Sequence, residues 1–120
     1  MVYTGPSYSL HVKITVAPEN VPAFIEALKP AWDAVTSEPE CIFFEVYQMD
    51  GEPGTFKFVE NWNASKDWMV NSQVQMKKEY YKPYLEKTEP MWIKPREIEI
   101  YTRMEGNQWV LVKEELTQKP

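Results

Sequence analysis

The first regular pattern along the chain is a strict alternation of aliphatic and polar residues. From Leu10 to Val16 every second residue is aliphatic, which is the period of a β-strand with one buried face. His11 falls among the polar residues of the opposite face. The alternation predicts a first strand that ends at Ala17-Pro18, because proline has no amide hydrogen to donate to a neighbouring strand.

An amphipathic helix is predicted next. Apolar side chains recur three and four positions apart between Val21 and Val35, which is the spacing of one helix face. Asn20 is a candidate N-cap, with Pro22 in the first turn. Pro30 lies inside the pattern and is expected to kink or shorten the helix, because it lacks the N–H that a helix interior uses.

A β-hairpin is predicted after this helix. Residues Cys41–Met49 are rich in β-branched and aromatic types, and Asp50–Gly54 contains two glycines and a proline, which is typical of a turn. Residues Thr55–Trp62 then form the second strand of the hairpin. One face of that strand carries Phe56, Phe58, Glu60 and Trp62.

The remaining segments complete a recognisable order of elements. A second helical region is predicted over Ser65–Leu85, broken into pieces by Pro83 and by the pair Asn71-Ser72. Residues Arg96–Arg103 alternate again, and Gln108–Glu114 has the composition of one further short strand. The order is that of an α+β ferredoxin-like fold, a βαββαβ antiparallel sheet, with an extra C-terminal strand.

Composition and charge exclude several classes of protein. The 120 residues suffice for one domain, and no apolar run approaches the roughly 20 residues that span a membrane. The N-terminus lacks the basic and apolar regions of a secretory signal. A net charge of −5 argues against nucleic-acid binding. Cys41 is the single cysteine, so no intramolecular disulfide is possible and a cytoplasmic protein is expected.

Aromatic residues are unusually frequent, with 5 Trp, 7 Tyr and 5 Phe. Such an excess is typical of an aromatic-lined pocket or of a large apolar interface, and both remain open. One histidine and one cysteine cannot build a typical zinc site, and the chain contains no nucleotide-binding motif. An enzyme with this sequence is therefore expected to work without a metal or nucleotide cofactor.

Two segments resemble signature strands of the antibiotic biosynthesis monooxygenase family. In Glu38–Tyr47, EPECIFFEVY, an EPGC-like turn leads into a strand that ends in Glu-x-Tyr. Phe56–Trp62, FKFVENW, is similar to the F-x-x-x-E-x-W strand of the family. The resemblance covers residues 8–103 and implies one domain over 1–120 that pairs with a second copy into a dimeric α+β barrel. It also implies that the C-terminal strand, about 108–114, reaches the partner subunit.

The resemblance also implies a function. Members of the family include cofactor-independent oxygenases of polycyclic phenols and anthrones, while others degrade haem, oxidise quinols or have no assigned activity. Asn71 stands nine residues after Trp62, where haem-degrading members need a histidine to bind iron. Glu40 is a second departure from the family pattern, because the family turn usually has glycine before the cysteine. The resemblance favours a cofactor-free monooxygenase that uses O₂ on a planar phenolic or polyketide-type aromatic substrate.

Neutral hydrogen-bond donors are the first candidates for catalytic residues. Trp62 matches the tryptophan that lines the pocket of several family members. Asn61 and Asn71 are candidates to bind a phenolate oxygen, because neutral N–H groups stabilise an anion in a dry cavity. Each also has a structural alternative: a core indole for Trp62, a solvent-facing side chain for Asn61, and a helix break or cap for Asn71.

Three other residues are candidates for a general base. His11 carries the only imidazole, whose ordinary pKa suits proton transfer near neutral pH. Its alternative is a structural or interfacial histidine. Glu45 and Glu60 become bases if burial raises the pKa of their carboxyl groups, or they pair with basic residues on neighbouring strands.

A ligand site is expected between the inner face of the sheet and the broken helix of residues 65–85, with Trp62 as a wall. Helical spacing places Tyr80 and Tyr84 on one side of that helix and Tyr81 on the other. Ordinary core packing is the alternative for such a cluster. The candidate substrate-binding residues are Phe44, Tyr47, Phe58, Trp68, Met69, Tyr80, Tyr81 and Trp92.

Two other functions remain open for a chain of this kind. The same scaffold could catalyse the cyclisation, dehydration or isomerisation of a polyketide-like intermediate, which needs acid–base groups but no oxygen. The chain could instead be a non-enzymatic homodimer whose aromatic side chains fill the core and the interface.

Overall fold

A computed structural model describes residues 3–70 and 78–113 of the chain. The strands in these ranges are β1 Tyr8–Thr15, β2 Cys41–Met49, β3 Glu52–Trp62 and β4 Glu97–Thr102. The helices are α1 Val21–Thr36, α2 Lys66–Val70 and α3 Tyr81–Thr88. Short 3₁₀ turns cover Pro18–Asn20, Glu89–Met91 and Glu105–Asn107.

The strands form one antiparallel sheet in the order β2-β3-β1-β4. Helix α1 connects β1 to β2, and it packs against α3. Both helices lie on the same face of the sheet, where they share its hydrophobic core. This order and this connection pattern confirm the predicted ferredoxin-like α+β fold.

Side-chain alternation decides which face of the sheet is buried. Phe56, Phe58 and Trp62 of β3 point toward the helices, as predicted, and the ring of Phe24 from α1 stacks 4.9 Å from that of Phe56. A strand slipped by one residue would turn this apolar set to the outer face. The buried hydrophobic core comprises Leu10, Val12, Ile14, Val16, Phe24, Leu28, Ala31, Val35, Phe56, Phe58, Trp62, Ala64, Met69 and Tyr84.

Helix α1 has Pro22 in its first turn, as predicted, but differs from its prediction at Pro30 and at its cap. Pro30 does not end the helix, which continues to Thr36. Pro30 and Glu26, whose carbonyl loses its partner, both lie on the exposed side, where water can replace the missing bond. Asn20 makes no side-chain cap, because it closes a 3₁₀ turn in a helical conformation rather than in the extended conformation of an N-cap.

The second helical region is divided, as predicted, into α2 and α3. Residues Lys78–Tyr80 are not helical, whereas the pair Asn71-Ser72 lies outside the described residues. Pro83 does not break the helix there. It stands in the first turn of α3, where no helical hydrogen bond requires its N–H.

The extra C-terminal strand is not formed by residues 108–113 of this chain. Trp109 and Val110 lie beside Ser9 and Val59 on the outer face of the sheet, where the backbone groups of β1 and β3 are already paired with each other. A segment there finds no strand edge in its own sheet to bond to. No helix in the described ranges has the length and apolar character needed to cross a bilayer.

Candidate functional site

A cavity of about 180 Å³ lies between the inner face of the sheet and helices α1 and α3. It occupies the position where the sequence predicted a ligand site. Its walls are largely apolar because the inward residues of four strands and two helices meet there. Among the residues that line it are Leu28, Ala31, Phe44, Phe58, Tyr84 and Ile98.

Glu60 is the one carboxyl group among the described residues that line this cavity. The alternation of β3 places it between Phe58 and Trp62, opposite Leu10 of β1 and Phe44 of β2. Its side chain is therefore enclosed, and the residue is only 6% exposed. An ionised carboxylate in such surroundings is costly unless it is compensated.

Burial raises the pKa of the Glu60 carboxyl to about 7. Two interactions oppose this rise by favouring the charged form. The indole Nε1–H of Trp62 donates a hydrogen bond of 3.1 Å to Oε1 of Glu60, and the positive charge of Arg96 acts in the same direction. Near neutral pH the carboxyl is therefore poised to take up or release a proton.

Tyr84 brings a hydroxyl group to the same cavity from α3. The residue is 7% exposed, and its hydroxyl has no hydrogen-bond partner in the described part of the chain. Burial raises the pKa of Tyr84 to about 12, so the hydroxyl keeps its proton. A buried donor without a partner is costly and is available to a bound molecule.

Arg96 completes the polar groups of the cavity. It precedes β4 and lines the cavity with a partly exposed side chain. The guanidinium carbon lies 5.2 Å from the ring centroid of Trp92, a cation–π contact. Its charge lowers the pKa of both Glu60 and Tyr84. The cavity thus combines an acid, a hydroxyl donor and a cation inside an apolar wall.

Three of the predicted substrate-binding residues line the cavity: Phe44, Phe58 and Tyr81. Trp62 was predicted as a wall but is not among the described lining residues. The Trp62 side chain is almost fully buried, and its indole N–H donates a hydrogen bond to Glu60, which does line the cavity.

Four other candidates do not line the cavity: Trp68, Met69, Tyr80 and Trp92. Trp68 packs 6.0 Å from Trp62, centroid to centroid, and Met69 is fully buried in the core. Tyr80 packs 4.8 Å from Tyr81. The backbone of Trp92 forms a bridge to Val16, directly after β1, and its indole nitrogen is buried with no hydrogen-bond partner among the described residues.

Three candidates lie on the opposite, outer face of the sheet: His11, Tyr47 and Asn61. His11 shares a hydrogen bond of 2.9 Å with Oγ of Ser9. Burial and the neighbouring Lys57 lower the pKa of His11. The sheet separates all three side chains from the cavity. Asn71 lies outside the described residues.

Tyr84 and Arg96 were not predicted as site residues. The predicted grouping of Tyr80 with Tyr84 is wrong, because Tyr80 lies in a turn and α3 begins at Tyr81. Tyr81 and Tyr84, three positions apart, therefore share the cavity side. No sequence pattern marks Arg96, because its place follows from how β4 pairs with β1.

The described residues offer little basis for thiol or metal chemistry. Burial, with a smaller effect of Glu60, raises the pKa of the Cys41 thiol to about 11. A nucleophilic cysteine needs a lowered pKa, so the raised pKa argues against a nucleophilic role for Cys41. No group of three or more His, Cys, Asp or Glu residues in the described ranges is arranged to hold a metal ion.

Comparison with known proteins places this fold and this strand pattern in one family. The family model of antibiotic biosynthesis monooxygenases matches residues 7–70. A protein of Pestalotiopsis microspora that bears the provisional name of a monooxygenase is 50% identical over 104 residues, which is 87% of this chain and 85% of the relative.

Solved structures show the same fold. A protein of Nitrosomonas europaea, provisionally named an antibiotic biosynthesis monooxygenase, matches with a TM-score of 0.73 and 21% identity over 88% of this chain and 97% of its own. A similarly named protein of Caulobacter crescentus matches with a TM-score of 0.72 and 21% identity over 86% and 94% of the two chains.

Proposed function

The chain belongs to the antibiotic biosynthesis monooxygenase family, and from that premise we propose that it oxidises a small, planar phenolic substrate with O₂ in the cavity beside Glu60. No cofactor takes part in the proposed reaction, since the substrate itself supplies the electrons. The observation that carries this proposal is an enclosed carboxyl group, with a pKa of about 7, in the wall of an apolar cavity.

Glu60 acts as the general base in this reaction. It removes a proton from the phenol, or from a CH₂ group that the phenolic ring activates, and leaves an electron-rich anion. The anion transfers electrons to O₂, and the two combine into a hydroperoxide on the carbon. Loss of water converts that carbon, either the activated CH₂ or a ring CH that is CH₂ in the keto form of the phenol, to C=O, so one oxygen atom enters the product and the other leaves as water. The four electrons that reduce O₂ all come from the substrate.

Tyr84 and Arg96 stabilise the charges that this sequence creates. The hydroxyl of Tyr84 is free to donate a hydrogen bond to the substrate oxygen or to the peroxide, and the guanidinium of Arg96 balances the developing anion. The apolar walls keep bulk water away from the reactive anion. Trp62 holds the carboxyl of Glu60 in place through its indole N–H.

The volume of the cavity limits the size of the substrate. A cavity of about 180 Å³ is smaller than the roughly 300–1,000 Å³ of sites for drug-sized ligands. An apolar cavity of roughly 150 Å³ accepts a single benzene ring. A substrate of one ring, or of two fused rings, therefore suits this cavity better than a polycyclic one.

Oxygen uptake tests the proposal directly. We expect metal-stripped protein to consume O₂ with hydroquinones, hydroxybenzoates or naphthols, one O₂ for each molecule of product, and to incorporate one ¹⁸O atom from labelled O₂. Folded protein that binds these compounds but consumes no O₂ with any of them would refute the proposed oxidation.

Acid–base chemistry without oxygen is the second candidate. The presence of Glu60 and the Tyr84 hydroxyl in one cavity supports it, because a base and a donor suffice for a cyclisation, dehydration or isomerisation. Turnover of a polyketide-like substrate at the same rate under anaerobic conditions would favour this candidate over oxidation.

We further propose that the protein is a homodimer in solution. The outer face of the sheet exposes Tyr47 and Tyr101, and the adjoining C-terminal segment exposes Trp109 by 75% and Leu111 by 79%. A monomer rarely leaves so much apolar surface bare, and a second copy would cover it around a two-fold axis. Light scattering at micromolar concentration is expected to give twice the 14.2 kDa of one chain. A mass of one chain would contradict the dimer.

A further inference from the structure

Arg96 is a cation at the cavity without an ionic partner in the described parts of the chain. The salt bridges in those parts join Lys29 to Asp33, Lys78 to Glu38, and Lys82 to Glu79. Arg96 takes part in none of them, although its side chain is partly buried. A partly desolvated charge of this kind is stabilised by an anion that binds beside it.

Glu60 does not fill that role. No ion pair joins its carboxylate to Arg96, and burial outweighs the attraction of the guanidinium, so the Glu60 carboxyl is protonated in a large fraction of molecules near neutral pH. The cavity therefore carries excess positive charge before a ligand enters. The ring of Trp92 beneath the guanidinium restricts where that charge can move.

The polar groups of the cavity are arranged by depth. Arg96 is partly exposed, whereas Glu60 and Tyr84 are buried. A ligand that enters the cavity meets the cation on the solvent side and the acid and hydroxyl at the buried end. Apolar side chains such as Phe44 and Phe58 lie along the wall and suit the faces of a ring.

We propose, building on the proposed function, that Arg96 is a specificity-determining residue that selects phenols bearing a carboxylate on the ring. Guanidinium and carboxylate are both planar, and they form two parallel hydrogen bonds that an ammonium or an amide cannot match. With the carboxylate on Arg96, the ring lies along the apolar wall and the phenol reaches Glu60 and Tyr84. The cavity volume limits this class to one-ring acids or compact two-ring acids.

Binding of a matched pair of probes tests this inference. We use 4-hydroxybenzoate and its neutral near-isostere 4-hydroxybenzamide, and measure affinities by isothermal titration calorimetry near neutral pH. The wild-type protein is expected to prefer the carboxylate by about tenfold or more, because the guanidinium forms stronger, charge-assisted hydrogen bonds with a carboxylate than with a neutral amide.

Arg96→Gln is expected to abolish this preference and to leave the affinity for the amide within about twofold. Arg103→Gln is the matched control, since it removes the same charge from a residue on the outer face of the sheet. It is expected to retain the preference. Equal affinities for the two probes in the wild-type protein, or a preference that survives in Arg96→Gln, would overturn the proposal, and so would a failure of both probes to bind.

The calorimetric result is independent of turnover. A carboxylate preference that depends on Arg96, together with no O₂ uptake on any phenolic acid, would refute the oxidation but support the specificity. O₂ uptake with neutral phenols at the same kcat/KM as with phenolic acids would refute the specificity but support the oxidation. The two proposals can therefore fail separately.

Discussion

Replacement of Glu60 by glutamine is expected to lower kcat by about 10²- to 10⁴-fold, the usual contribution of a general base. Glutamine has nearly the same shape, and its side-chain oxygen can still accept the hydrogen bond that Trp62 donates. It cannot take up a proton from the substrate. The loss is expected at every pH at which the wild-type protein is active, and steady-state oxygen uptake measures it.

The same substitution is expected to change how stability depends on pH. In the folded protein the pKa of Glu60 is raised from 4.5 to about 7, so between these values the folded state binds more protons than the unfolded state. The stability that comes from this extra proton binding at Glu60 is fully present below the pKa that Glu60 has in the unfolded chain. It is lost as the pH rises through the pKa that Glu60 has in the folded protein. The shift corresponds to roughly 3 kcal/mol.

The glutamine of the Glu60→Gln variant does not titrate, so the variant does not lose this stability as the pH rises. The difference in unfolding free energy between the variant and the wild-type protein is expected to move in favour of the variant by roughly 3 kcal/mol as the pH rises across this window. Glu26→Gln is the matched control, because Glu26 is exposed on helix α1, away from the sheet face that the second copy is proposed to cover. Denaturant unfolding at a series of pH values gives both differences. A variant that tracks the wild-type protein throughout, with normal turnover, would remove Glu60 from the mechanism.

Trp62→Phe probes the same carboxyl group from its hydrogen-bond partner. The indole N–H favours the charged form of Glu60, so its loss is expected to raise the pKa of Glu60 further and to move the acidic limb of the pH–rate profile to higher pH. A merely structural role for Trp62 would lower stability but leave this limb in place. The profile therefore separates a positioning residue from a core residue.

The fold was predictable because each element carries a local pattern. In Phe56–Trp62 every second residue is large or apolar apart from Glu60, and that period alone sets the inner face of β3. The predicted strand Cys41–Met49 has the same bounds in the structure. The C-terminal segment shows the limit of such patterns. Its composition suits a strand, but a strand also needs an unpaired edge, and composition does not reveal where one lies.

The site was less predictable because it joins residues that are distant along the chain. Asn61 and Glu60 are neighbours, yet the alternation of β3 sends one to the outer face and the other to the cavity. The same rule placed His11 opposite the apolar face of β1, so its exclusion from the inner site follows from the strand pattern. Arg96 reaches the cavity only through the pairing of β4 with β1, which no local pattern specifies.

Filling the cavity from α1 is expected to abolish ligand binding without loss of the fold. Ala31 is buried and lines the cavity, and Ala31→Phe adds a phenyl group of about the size that a cavity of roughly 150 Å³ accepts. The new ring would occupy the space proposed for the substrate. Affinity for 4-hydroxybenzoate is expected to fall at least about 100-fold, which corresponds to roughly 2.7 kcal/mol.

The stability of this variant distinguishes filled space from damaged packing. The ring gains buried apolar contact in an existing cavity, whereas overpacking of a dense core costs about 1–3 kcal/mol. Ala23→Phe is the control, because Ala23 is exposed on the same helix and the change in helix propensity is the same. We expect both variants to unfold with free energies within about 1 kcal/mol of each other and only Ala31→Phe to lose the ligand. Unchanged affinity in a folded Ala31→Phe protein would place the binding site outside this cavity, because no ligand could share the space with the added ring.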